Sequence, residues 1–121
     1  MNGAVTDLTW SQINDALKQV LKTNADLVTV DSNGNPTSVN IGAITGGSSN
    51  NFSVIKFMNV IHDAGIIAQA SANTGKPAGE RLNSFSNPVN AAPVNNFVQT
   101  TRTIVSRVDL RSATSIVGTN V

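Results

Sequence analysis

The sequence predicts a small α+β protein, with two helices (about 9–22 and 52–72) packed on a small antiparallel sheet. Three observations carry that expectation. Apolar residues recur at helical spacing in two separate windows. A turn-rich stretch, DSNGNPTSVNIG (31–42), lies between two short β-branched runs. A second Thr/Val/Ile-rich segment follows a long proline-bearing stretch near the C-terminal end. At 121 residues the chain fits one domain, 1–121, long enough to bury a core without disulfides or metal.

The first helix has the clearest start. Thr9-Trp-Ser-Gln12 reads as a capping box, with Leu8 and Ile13 placed for a hydrophobic staple. Trp10, Ile13, Leu17, Val20 and Leu21 then form one apolar stripe, while Asp15 and Lys18 fall on the wet side. The pattern fades at Thr23-Asn24.

A hairpin is expected next, with strands at about 26–31 and 37–44. Asn33-Gly34 favours positive φ, and Pro36 stops the turn from extending into regular pairing. The same stretch begins like a calcium loop, with oxygen side chains at Asp31, Asn33 and Asn35. The calcium template requires Gly at its sixth position and a bidentate carboxylate at its twelfth, and these positions hold Pro36 and Gly42. One carboxylate is too little for that cation, so the stretch is read as a turn.

After a Gly/Ser/Asn connector (46–51), with Asn51 as the expected cap, comes the central helix. Its apolar residues cover most of the circumference, and only a strip of Lys56, Asn59, His62, Asp63 and Gln69 interrupts them. A helix apolar nearly all round is buried in its own domain or against another molecule. Phe52, Phe57, Met58, Ile61, Ile66 and Ile67 are therefore the candidate interface residues. Gly65 weakens the helix by about 1 kcal/mol relative to Ala and gives a neighbour room to approach closely. Asn73-Thr-Gly75 and Pro77 end the helix.

Residues 73–95 hold three of the four prolines and no periodicity, the mark of a functional loop or arm. Lys76, Arg81 and Phe85 are its candidate binding residues. Residues 97–110 favour a strand by composition, although Phe97, Val98, Thr101, Ile104, Val105 and Val108 also fit a helical stripe. A return strand is expected at about 114–118.

Chemistry-bearing motifs are thin. His62-Asp63 is the one neighbouring pair in which a carboxylate would orient an imidazole, but adjacent helical residues do not face each other. Without cysteine or a second histidine, thiolate and histidine-pair zinc sites are excluded. Thr74-Gly-Lys76 fails as a phosphate loop, because Ala70 stands where Gly is required and Pro77 follows the lysine. Arg102, Arg107 and Arg111 lack the aromatic partners and density of a nucleic-acid surface, and read instead as charges guarding a strand edge. The sequence calls for no cofactor and no metal.

Charge and composition point elsewhere. Charged residues make up 12% of the chain, about half the usual quarter. The difference is made up by 16 Asn, 12 Ser and 12 Thr, and the net charge is +1. Such surfaces lack the like-charge repulsion that keeps monomers apart. Lys and Asp leave residues 1–75 at −2, whereas residues 76–121 stand at +3. The N-terminus has no signal-peptide pattern, and no apolar run approaches the ~20 residues of a membrane span, so localisation is left open.

The expected function is a non-enzymatic structural or assembly subunit, with copies of itself as partner. It would join them through the central helix, with 73–95 reaching across. A small binding module using the 73–95 loop for a small molecule or protein is the alternative, and a hydrolase-like enzyme around His62 comes third. Neither a membrane nor a nucleic acid is an expected partner.

Overall fold

The capping box forms as its residues require. Thr9 Oγ1 accepts from the Gln12 N–H at 3.0 Å, and Gln12 Oε1 accepts from the Thr9 N–H at 2.8 Å. Helix α1 (Trp10–Leu21) follows and ends at Lys22, which turns left-handed at φ 55°. The computed structural model describes residues 3–46 and 53–107. Within them the protein is α+β, with three α-helices and two separate two-stranded antiparallel sheets.

Ala16 and Leu17 are the buried centre of α1, and Leu8 and Ile13 pack against the core as a staple should. Asn14 joins this helix to the first sheet. Its Oδ1 accepts from the N–H groups of Leu27 (2.8 Å) and Val28 (3.0 Å), and its Nδ2 donates to Asp26 (2.9 Å). Strands β1 (Val28–Val30) and β2 (Pro36–Val39) pair with Val28 opposite Val39, and a bulge falls between Thr29 and Val30. The turn is tied by Asp31, whose Oδ1 accepts from the Asn33 and Asn35 N–H groups at 2.9 and 3.0 Å. Gly34 takes φ 83°, the positive value the sequence demanded.

The second strand is shorter than the predicted 37–44. It stops at Val39 because Asn40 becomes a helix cap, its side chain accepting from the Ala43 N–H at 3.0 Å. The short helix α2 (Ile41–Thr45) then swings Ile44 fully into the core, where continued alternation would have carried the chain past it.

Helix α3 (Val54–Ala72) is the predicted central helix. Its cap is Ser53, whose Oγ accepts from the Lys56 N–H at 3.1 Å; the expected cap Asn51 lies outside the described residues. Val60, Ala64 and Ala68, four residues apart, form its buried face. Small side chains there let α1 lie close, against Ala16 and Leu17. Leu27, Val28 and Ile44 complete the core.

The C-terminal strand does not join the first hairpin, so the single predicted sheet is two. Strand β4 (Thr100–Thr101) pairs antiparallel with β3 (Val89–Asn90), which arises within 73–95, the stretch expected as a loop or arm. Bridges Phe85–Ile104 and Val94–Phe97 extend the ribbon at both ends. Its turn is Asn95-Asn96, both at positive φ (52° and 67°), the pattern of a two-residue type I′ hairpin in which Asn is favoured. That tight turn delivers residues 97–104 to their nearest neighbour in sequence. Within 97–107, the described part of the strand expected over 97–110, the chain forms a short ladder flanked by bridges; 108–110 and the strand expected at 114–118 lie outside the described residues. No helix among the described residues is long and apolar enough to cross a membrane.

Candidate assembly surface

The polar strip on α3 holds the base of the 85–104 ribbon. Asn73, at the helix end, meets Leu82 with both halves of its amide. Its Oδ1 accepts from the Leu82 N–H (2.7 Å) and its Nδ2 donates to the Leu82 carbonyl (2.9 Å). One turn earlier Gln69 does the same to Phe85. Its Oε1 accepts from the N–H groups of Ser84 (2.7 Å) and Phe85 (2.9 Å), and its Nε2 donates to the Phe85 carbonyl (3.0 Å). The two amides thus stand in for a neighbouring β-strand, satisfying backbone groups that would otherwise lack partners.

Two turns further back, the return strand is fixed. Arg102 Nη1 donates to Asp63 Oδ1 at 2.6 Å and to the Asn59 carbonyl at 3.1 Å, and it lies 3.2 Å from His62 Nδ1. A guanidinium only donates, so Nδ1 is the accepting nitrogen and Nε2 carries the proton. That proton is donated to the Thr103 carbonyl at 3.1 Å. The imidazole is 2% exposed and meets the Phe85 ring edge-on at 5.9 Å. With both nitrogens committed to the arm, His62 has the surroundings of a structural anchor.

Gly65 completes the seam. A Cβ at this position would lie 2.5 Å from two Phe85 ring carbons, so glycine is what lets the arm seat.

Every residue from Val89 to Thr101 is exposed, among them Val94 and Phe97, which oppose each other at the tip. Residues 82–101 contain no charged side chain. Two-stranded ribbons are marginal alone, and uncharged edges are templates for association.

Two apolar surfaces lie elsewhere. The first turns of α3 present Val54, Ile55 and Met58 at 67%, 70% and 58% exposure. Between α1, the first hairpin and α3 runs a groove of about 350 Å³, walled by Trp10, Ile13, Val39, Phe57, Ile61 and Phe85.

No protein-family model, curated protein or solved structure matches this chain.

Of the residues singled out in the sequence, Met58 lies on the exposed end of α3, and Ile66 is half-buried farther along the helix. Phe57, Ile61 and Ile67 are half-buried against the core, and Phe52 lies outside the described residues. The three loop candidates do not come together in one cluster of contacts. Lys76 Nζ donates to the Gly3 carbonyl (3.2 Å), Arg81 Nε donates to the Lys76 carbonyl (2.8 Å), and Phe85 packs on Gly65. His62 and Asp63 share Arg102 as a partner. Among the described residues no group of three or more His, Cys, Asp or Glu side chains comes together as a metal site. Sequence reasoning missed Asn14 and Asn73 as organisers and saw Gln69 only as an interruption. For Gln69 and Asn73 the signal was two amides spaced four apart along the polar strip of the helix; Asn14 offered none.

Proposed function

We propose that this chain is a non-enzymatic structural subunit that assembles with copies of itself through the exposed apolar end of α3. The supporting observation is the cluster of Val54, Ile55 and Met58, neighbours on the helix surface and each more than half exposed. Contiguous apolar patches of this kind mark interaction sites, and the weakly charged composition offers little repulsion against self-association. The arm, held at its base and exposed from Val89 to Thr101, is a second element of the same kind.

Sedimentation velocity across low to high micromolar concentrations tests the reading. Native protein should sediment as an oligomer whose share rises with concentration. Ile55→Asp combined with Met58→Asp should lower that oligomer share with the helical circular dichroism intact. A pure monomer of native protein at high micromolar concentration would remove the proposal. It would shift weight to a small binding module, which the groove favours as a second reading. The groove's volume lies at the lower end of the range for small-ligand pockets, and the loop's Phe85 forms part of its wall.

A further inference from the structure

We infer that the tip of the arm of one copy seats in the apolar groove of the next, making a head-to-tail contact; this rests on the self-assembly reading above. Four observations converge on a second copy as the occupant.

The first is the shape of the tip. Val94 and Phe97 exchange both backbone hydrogen bonds, at 2.8 and 2.9 Å, and such directly opposed residues project to the same face of a ribbon. They form a two-pronged apolar knob, with Phe97 77% exposed.

Size is the second. A cavity of about 150 Å³ holds one benzene ring, so a groove of about 350 Å³ has room for a phenyl ring and a branched side chain beside it.

The third is charge. The knob belongs to a charge-free run, residues 82–101, and among the described residues Asp7 is the one charged residue lining the groove. Docking therefore desolvates little that is charged.

Reach is the fourth. Phe85 is both the root of the arm and a wall of the groove, and Val94 at the tip lies nine positions further along the chain, a reach of at most roughly 30 Å at strand rise. The ribbon is pinned at its base by Gln69, His62 and Asp63, and its tip residues Val94 and Phe97 are exposed and are not among the residues that line the groove. It remains available to a neighbour. Knob and hole lie on different parts of one molecule, so the contact is heterologous and propagates into a ring or a filament.

The absence of cysteine from the sequence makes the test clean. Val98→Cys sits beside the knob, Val39→Cys in the groove wall and Val54→Cys at the end of α3; each position is exposed, and native folding of each full-length variant is checked by circular dichroism. Equimolar V98C and V39C proteins are mixed and briefly oxidised. Mixed V98C–V39C dimers should exceed their random share. Adding F97D to the V98C chain should reduce them roughly tenfold, the loss expected when one apolar anchor is removed. Mixed dimers at or below the random share overturn the inference, as does a yield unmoved by F97D. Preferential V54C–V39C linkage also overturns it, because the groove would then take the end of α3. If native protein still sediments as an oligomer in any of these cases, assembly stands and only the arm's destination is wrong. If native protein is monomeric, both readings fall.

Discussion

At the scale of single residues, one missing side chain and three amides position the arm and the first hairpin. Asn14, Gln69 and Asn73 each answer backbone groups of a segment distant in sequence, and each uses both ends of its amide. Replacing such a residue with an apolar one leaves buried or half-buried backbone donors unpaired, which costs about 1–3 kcal/mol for each. Gly65 acts through absence. In an exposed helix, Gly→Ala would be favourable by about 1 kcal/mol. Here the new Cβ would sit 2.5 Å from Phe85, whose backbone Gln69 holds at both N–H and C=O. Overpacking of this kind costs about 1–3 kcal/mol, so it outweighs the propensity gain. Gly65→Ala should lower the urea midpoint by the equivalent of roughly 1 kcal/mol, and adding Phe85→Leu should recover part of that loss. A Gly65→Ala protein more stable than native would show that the ring moves freely and that the seam is loose.

Elements were legible in the sequence where their cause is local. The capping box at Thr9-Gln12 gave α1, and the nearly all-round apolar run gave α3, expected over about 52–72 and formed over Val54–Ala72. Asn33-Gly34 gave the first turn. What escaped was pairing. A strand's own pattern does not say which edge it will join, and the short ladder of Thr100–Thr101 chose the nearest partner, across Asn95-Asn96. The Asn95-Asn96 pair is plain in the sequence, but its meaning as an I′ turn depends on strands that only the fold supplies. Asn40 was likewise hidden, since a residue in an alternating run becomes a cap only when the next turn has a core to enter. The first hairpin also carries a pH dependence. Backbone N–H donors, first that of Asn35 and then that of Asn33, hold the Asp31 carboxyl below its ordinary value of 3.8. Asp26 is lowered from the same value, first by the Asn14 amide and then by Lys18. Both groups lose protons more readily when folded. Their stabilisation is therefore present above about pH 4 and lost as pH falls through the lower folded values. The melting temperature should hold steady from pH 7 to about 5 and fall below about 4. Asp31→Asn with Asp26→Asn should flatten that acid limb while keeping an acceptor oxygen at each site. An unchanged acid limb would assign it to the other carboxylates.

At the scale of the whole molecule, two forces can bring copies together, and they respond oppositely to conditions. One is the charge division, −2 over residues 1–75 and +3 over 76–121. The other is apolar: the end of α3, the groove and the knob on the arm. Attraction between net charges this small, spread over surfaces wider than the screening length of about 8 Å in physiological salt, is weak and vanishes as salt is added. Apolar burial is nearly indifferent to sodium chloride, strengthens with excluded salts such as sulfate, and weakens on cooling because its driving force near room temperature is entropic. The surfaces exposed here favour the second force, since the arm from Leu82 to Thr101 is uncharged and Arg102 at its root is already paired with Asp63. The weight-average sedimentation coefficient should therefore hold when sodium chloride is raised from about 50 to 300 mM. It should rise in sodium sulfate and fall between about 25 and 4 °C. Dissolution of the oligomer by sodium chloride alone would reverse the ranking. It would make the unequal halves of the chain, with Arg107 among the exposed charges, the source of the attraction, and leave the apolar surfaces without a part in assembly.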